Sequence, residues 1–109
     1  MKYLLLICSE GEGYGATEQE LDAGPWVDEM TRRSVRLTGS RTRPAADATT
    51  VRVRDGARLV TDGPYAETKE QMAGFDIIEC ADLDEAIEVA SKHPVARYGM
   101  IEVRPFWTD

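Results

Sequence analysis

The sequence is short of the residues from which metal sites and disulfide frameworks are built. Its 109 residues include one histidine, His93, and two cysteines, Cys8 and Cys80. No pair of these residues has the spacing of zinc ligands, and two cysteines form no framework typical of a secreted protein. We therefore expect reduced thiols, no bound metal and no cofactor. We interpret His93 as a capping or exposed cation at the end of a helix.

Long apolar runs are also absent. The first, from Tyr3 to Cys8, covers about a third of a membrane-spanning helix and is too short for the apolar core of a signal peptide. We expect a cytoplasmic chain without membrane association. The glycine string that follows, from Gly11 to Gly15, loosely matches a dinucleotide motif. Because Glu12 would face the pyrophosphate and a second nucleotide-binding half is lacking, we expect no dinucleotide site.

Aromatic residues make up only 7% of the chain, and none lies in its most basic segment, Arg32 to Arg58. This absence and the net charge of −7 argue against nucleic-acid binding. The segment itself has a net charge of +6, against −13 for the remainder. Guanidinium groups pair well with carboxylates and phosphates. Two interpretations stay open: a solvated face matched to the acidic part of a partner subunit, or an anion-binding groove that includes Arg41 and Arg43.

Hydrophobic periodicity predicts the order strand, helix, hairpin, strand, helix, strand. The turn dipeptide Asp55-Gly56 between alternating runs indicates a tight hairpin, and Asp82 with Glu85 indicates a capping box at the second helix. Thr17 with Glu20 has the same spacing. The predicted elements are a strand over Lys2–Cys8, a helix from Pro25 to Gly39 with Trp26, Val27, Met30, Ser34 and Leu37 on one face, a hairpin over Thr49–Thr61, a strand over Met72–Cys80, a helix after Asp82 and a strand over Met100–Pro105.

This order predicts a single domain over residues 1–109 with an α+β fold, a ferredoxin-like split βαβ sandwich carrying an inserted β-hairpin. Two helices can cover only one face of the sheet, yet the first strand is apolar on both faces. A second copy of the sheet would cover the other face, so we expect a homodimer. In this arrangement we also expect the first and third sheet strands to be parallel neighbours, with Cys8 and Cys80 near the same end.

Four segments of the chain resemble the YCII-related family, and specifically its branch named for a DGPF motif. They are Met1–Ile7, Thr61–Phe75, Asp82–Ala86 and Ile101–Pro105, with Tyr65 where that branch usually has Phe. The resemblance implies a dimeric α+β barrel of largely unassigned activity. Members are often encoded near extracytoplasmic-function sigma factors, which implies a regulatory setting. A catalytic His–Asp pair proposed in the wider family places the His in the first helix, where this chain has none.

The loop from Asp62 to Glu70 is the first candidate site. Asp, Gly and Pro alone would set its turn, but the loop also concentrates ionisable groups that could bind a small polar ligand or move a proton. The candidate ligand-binding residues are Asp62, Tyr65, Glu67, Lys69 and Glu70, together with Arg41 and Arg43. We expect a homodimeric small-molecule-binding protein, with catalysis left open. The alternative is a non-catalytic regulatory protein that presents its arginine-rich segment to an acidic partner such as a sigma factor.

Overall fold

The chain forms six strands and two helices within the residues that the structure describes. The computed structural model describes residues 1–10, 13–65 and 70–108, with the backbone alone at residues 10 and 70. In these ranges the elements are β1 (Lys2–Glu10), α1 (Gly24–Arg32), β2 (Arg36–Arg41), β3 (Thr49–Arg54), β4 (Ala57–Asp62), β5 (Glu70–Glu79), α2 (Leu83–Ser91) and β6 (Met100–Pro105). Short 3-10 turns lie at Ala45–Asp47 and Pro94–Arg97. Neither described helix is long and apolar enough to cross a membrane.

The main sheet has the strand order β2-β5-β1-β6, with every neighbouring pair antiparallel. Strands β3 and β4 form a separate two-stranded sheet. Residues of α1 and α2 join one core cluster with alternate residues of β1, which places both helices on the same face of the sheet. The predicted ferredoxin-like α+β fold with an added hairpin is thereby confirmed.

The core lies between the two helices and the sheet. Its fully buried side chains include Leu5 of β1, Met30 of α1, Ile78 of β5 and Val89 of α2. The indole of Trp26 ties the helices together, because its Nε1–H donates to the Val89 carbonyl oxygen at 2.9 Å. The burial of Trp26 and Met30 matches the predicted apolar stripe of the first helix.

The predicted helix from Pro25 to Gly39 was wrong beyond its first eight residues. Helix α1 ends at Arg32, Ser34 adopts a left-handed φ of 59°, and the chain then enters β2 as an edge strand. Ser34 and Leu37 have helical spacing to Met30, which is why periodicity extended the helix. The segment forms a strand because it pairs with the outer edge of β5, whose backbone hydrogen-bonding groups it satisfies.

The predicted approach of Cys8 to Cys80 was also wrong. Strands β1 and β5 are antiparallel, so Cys8 lies opposite Met72, whereas the Cys80 N–H donates to the Met1 carbonyl oxygen at the other end of β1. Seven strand residues separate the two ends, or roughly 20 Å at the rise of an extended strand. The two thiols of one chain are therefore too far apart for a disulfide.

Both predicted turn motifs are confirmed. Asp55 and Gly56 have φ values of 53° and 77°, as a primed hairpin turn requires. At α2, Asp82 Oδ1 accepts a hydrogen bond from the Glu85 N–H at 2.9 Å, and Glu85 Oε1 accepts one from the Ala81 N–H at 2.9 Å. These side chains satisfy backbone donors at the start of the helix.

Two apolar surfaces have no cover from the part of the chain that the structure describes. The first is the open face of the sheet, where Leu4 and Leu6 of β1 lie beside Phe75 and Ile77 of β5, all half-buried. The second is the hairpin β3–β4, every residue of which is exposed except Thr50. The radius of gyration of 15.8 Å exceeds the value of about 13 Å for a compact domain of this size. The hairpin therefore projects from the body as an arm.

Candidate functional site

A cavity of about 1010 Å³ opens on the helix-covered side of the sheet. Its floor is the β2–β5 edge of the sheet, and its opposite wall is the segment of residues 14–24 that leads into α1. The central strand contributes Ile7 to the floor, and the 3-10 turn after α2 contributes Val95. The cavity thus lies where an edge strand, a loop and a helix start converge, as ligand sites commonly do.

A buried ion pair lies in the floor of the cavity. Arg36 Nε donates to Asp76 Oδ1 at 2.7 Å, and Asp76 is only 6% exposed. Burial raises the pKa of Asp76, and the lowering by the Arg36 guanidinium does not overcome it. Gly39 makes room for the pair, because a Cβ at this position would overlap Asp76 Oδ1 and lie 2.7 Å from the Phe75 carbonyl oxygen. The ion pair between Arg36 and Asp76 therefore depends on the close pairing of β2 with β5 at Gly39.

Arg41 supplies an uncompensated positive charge to the same floor. It is the last residue of β2, lies opposite Gly74 of β5 and lines the cavity. Its side chain is exposed and has no hydrogen bond or ion pair with any described residue. A guanidinium group placed at a cavity without a carboxylate partner is suited to bind an anionic group.

Tyr14 brings an unsatisfied hydroxyl to the opposite wall. The hydroxyl oxygen is buried and has no hydrogen-bond partner among the described residues. The ring is accommodated by Gly99, where a Cβ would lie 2.7 Å from Tyr14 Cε1 and overlap the Cys8 carbonyl oxygen. Burial raises the pKa of Tyr14, so the phenol keeps its proton at neutral pH. A buried donor without an acceptor is unfavourable by about 1–3 kcal/mol, which a ligand acceptor would relieve.

The wall also carries two carboxylates with different environments. Asp22 Oδ1 accepts a hydrogen bond from the Gly24 N–H at 2.9 Å, whereas Glu18 is exposed and has no described partner. Glu18 belongs to a turn held by reciprocal bonds between Thr17 and Glu20, each at 3.0–3.1 Å. This is the predicted capping-box pair, here closing a turn, and the Tyr98 hydroxyl donates to Glu20 at 2.8 Å. The carboxylate of Glu18 is therefore carried on a well-anchored turn.

His93 lies at the back of the cavity as a neutral group. It is buried, its Nδ1 accepts a hydrogen bond from the Val95 N–H at 3.1 Å, and its ring meets that of Trp26 edge-on with centroids 4.8 Å apart. Burial lowers the pKa of His93 to about 4. The interpretation of His93 as an exposed cation was therefore wrong, whereas a capping role was among the predicted ones. The side chain caps the following 3-10 turn instead, in its uncharged form.

The candidate ligand-binding residues predicted from the sequence lie in different parts of the structure. Arg41 lines the cavity, but Arg43 points away and pairs with Asp47 at 3.1 Å. Asp62 ends strand β4 and is exposed, and Tyr65 is 84% exposed; neither lines the cavity. Glu70 begins β5, where only its backbone is described. Glu67 and Lys69 lie outside the described residues.

Sequence reasoning missed the polar groups of the cavity. Asp76 stands in the same alternating register as the buried Ile78 and Cys80, and a carboxyl in that register needs a partner. That signal was available in the sequence. Tyr14 and Glu18, by contrast, lie in a segment without periodicity, and only the folded arrangement brings them to the same cavity as Arg41.

Comparison with known proteins identifies relatives without identifying chemistry. Residues 1–108 match the YCII-related domain. A curated relative from Rhizobium meliloti, described as an uncharacterized protein, is 48% identical over 64 residues. The match covers 57% of this chain and 52% of the relative, so the chain spans about half the length of the curated relative it matches.

Proposed function

This chain belongs to the YCII-related family, and from that premise we propose that it is a cytoplasmic homodimer that binds a small polar molecule in the cavity beside Arg41. The observation that carries the proposal is that one cavity is lined both by Arg41, which has no ion-pair partner among the described residues, and by Tyr14, whose buried hydroxyl has no described hydrogen-bond partner. Arg41 would pair with an anionic group of the ligand. Tyr14 would donate a hydrogen bond to it once a small movement of the ring brings its buried hydroxyl to the surface of the cavity.

The remaining polar groups of the cavity support binding more directly than a particular reaction. Asp76 is occupied by Arg36, and His93 Nδ1 is occupied by the Val95 N–H. These groups hold the floor and the back of the cavity in place. The described lining groups with uncommitted hydrogen-bonding capacity include Arg41, Tyr14 and Glu18, which are suited to bind charged and polar groups of a ligand. We accordingly propose binding, and name no reaction.

The test is ligand binding by matched arginine variants. A metabolite panel screened by thermal shift is expected to yield an anionic ligand for the wild type, and Arg41→Gln is expected to weaken it at least tenfold, since hydrogen bonds to charged groups contribute about 1.5–3 kcal/mol. Arg43→Gln is the control, because Arg43 pairs with Asp47 outside the cavity. Equal binding by Arg41→Gln and the wild type would place the site elsewhere.

The loop of residues 62–70 remains a proposed second ligand-binding segment, supported by its concentration of ionisable side chains. The turn glycine Gly63, with φ 95°, and the sequence Asp62-Gly63-Pro64-Tyr65 also support our assignment to the DGPF branch of the family. Asp62→Ala joins the same titration. A loss of affinity in this variant without a loss of stability would place the loop at the ligand.

The proposed homodimer is supported by the open face of the sheet. Leu4, Leu6, Phe75 and Ile77 form an apolar stripe at its centre, and Glu102 and Arg104 of β6 pair with each other at its margin. An apolar centre with a polar rim is the usual anatomy of a protein interface. A second copy presents the same stripe, which suits a two-fold symmetric contact.

Leu6→Asp is expected to convert the dimer into a monomer, because it places a charge at the centre of this stripe. The matched control is Ile87→Asp, a similar change at an exposed apolar residue of α2 on the helix side of the sheet. Sedimentation or light scattering would report the mass of both variants. A folded wild-type monomer at micromolar concentration would contradict the proposal.

An alternative function is supported by the hairpin arm. Arg52 and Arg58 are exposed there without any described carboxylate partner. Arg58 shares one exposed face of the hairpin with Val51, Val53 and Val60, and Arg52 lies on the opposite face. A non-catalytic regulatory protein could present this surface to an acidic partner such as a sigma factor. The metabolite panel separates the two functions, because this alternative requires no ligand in the cavity.

A further inference from the structure

We infer that the cavity binds a zwitterion, an amino-acid-like molecule with one carboxylate and one ammonium group on an apolar body. This inference rests on the proposed function, since it names the class of molecule bound at the same site. It follows from how charge is distributed over the two walls of the cavity, and from which of those charges are already neutralised by the protein.

The floor of the cavity offers one unneutralised positive charge. Arg36 and Asp76 compensate each other at 2.7 Å, which leaves Arg41. His93 adds none, because burial lowers its pKa to about 4. Among the described lining residues, Arg41 is therefore the group that would attract an anion.

The opposite wall offers the complementary negative charge. Asp22 keeps its negative charge but accepts the Gly24 N–H at Oδ1, so Glu18 is the carboxylate of this wall without a described partner. A phosphate ester with two negative charges would be repelled by both acids of this wall, and a simple amine would be repelled by Arg41. A ligand with one charge of each sign satisfies both walls at once.

The rest of the lining fits the body of such a molecule. Tyr14 adds a protonated hydroxyl that can donate to a carboxylate. The apolar side chains of the lining include those of Ile7, Leu21, Val27 and Val95. A volume of about 1010 Å³ exceeds what a free amino acid fills, so the cavity also admits a larger amino-acid derivative.

Matched sets of probes test the charge pattern directly. The twenty common amino acids and their N-acyl and ester derivatives are titrated by calorimetry, and each ligand found is compared with its deaminated acid and its decarboxylated amine. For phenylalanine, the comparison compounds are 3-phenylpropanoate and 2-phenylethylamine. We expect an unmodified zwitterion to bind at least tenfold more tightly than its amine and about threefold to fivefold more tightly than its acid, because Glu18 is exposed and its pairing is correspondingly weak.

Two variants assign each preference to its wall. Glu18→Gln is expected to remove the preference for the zwitterion over its deaminated acid and to keep the preference over the decarboxylated amine. Arg41→Gln is expected to remove the preference over the amine and to keep the preference over the acid. Asp28→Asn, an exposed carboxylate of α1 outside the cavity, is the control. Far-ultraviolet circular dichroism checks that each variant is folded.

The outcomes separate this inference from the proposed function. Tight binding of a plain carboxylate, unaffected by Glu18→Gln, would overturn the zwitterion and retain the proposed function. Preferential binding of an N-acyl derivative over its zwitterion would do the same. If no probe and no compound of the metabolite panel binds, both are wrong.

Discussion

Gly39→Ala is expected to destabilise the protein by about 3–5 kcal/mol, which is a large part of the stability of a domain this size. A Cβ at this position would overlap Asp76 Oδ1 and lie 2.7 Å from the Phe75 carbonyl oxygen and from Arg36 Nη2. The carbonyl oxygen belongs to the partner strand and cannot move without disturbing the β2–β5 pairing. Displacing Asp76 instead would separate it from Arg36 and leave a buried carboxyl without its partner.

Urea denaturation measures this loss, and Gly24→Ala provides the control. Gly24 begins α1, and an added Cβ there would meet only the Asp22 side chain, with Oδ1 at 3.1 Å, a contact that a shift of a few tenths of an ångström relieves. We expect the control to stay within about 0.5 kcal/mol of the wild type, as is usual at exposed positions. A Gly39→Ala protein as stable as this control would show that the β2–β5 edge is less tightly packed than described.

Acidification is expected to destabilise the protein through His93 by about 3 kcal/mol. The pKa of this residue is about 4 in the folded state and near 6.5 in the unfolded state. The unfolded chain therefore binds a proton first as the pH falls. The contribution of His93 is complete above pH 6.5 and is lost progressively down to pH 4, by 1.36 kcal/mol for each unit of pKa difference.

Protonation of Asp76 has the opposite effect on the free energy of unfolding. Burial raises its folded pKa above the unfolded value of 3.8, so protonation on acidification favours the folded state and reduces the loss. His93→Asn isolates the histidine, because an asparagine side chain can accept the Val95 N–H in place of Nδ1 without titrating. Denaturation midpoints measured from pH 7.5 to 4 should fall steeply for the wild type and less for this variant. Equal slopes would show that another group controls the acid response.

The fold was predictable because each of its signals is local. The alternation in β3 and β4, the Asp55-Gly56 turn and the cap at Asp82 each act within a few residues, and the two-faced β1 marks a central strand. Strand β2 was not predictable in this way. Its sequence has helical spacing to α1, and only its position beside β5 favours the extended conformation.

The site was predictable only in part, since its residues are distant in sequence. The basic segment directed attention to Arg41, which does line the cavity. Nothing local distinguishes Arg41 from Arg43, two residues away, because the difference arises from the end of β2 and from the pairing of Arg43 with Asp47. The position of Tyr14 at the cavity was equally unpredictable from the sequence, because it depends on Gly99, which follows 85 residues later.

The separation of the hairpin from the main sheet has a consequence for how relatives can diverge. Strands β2 and β5 are antiparallel neighbours, and a short turn would suffice to join them. The chain instead spans residues 42–69 between them, including the whole arm. Because loop-closure entropy grows only logarithmically with length, such an insertion changes folding free energy little. The arm can therefore be lengthened, shortened or exchanged during evolution while the floor of the cavity keeps its geometry.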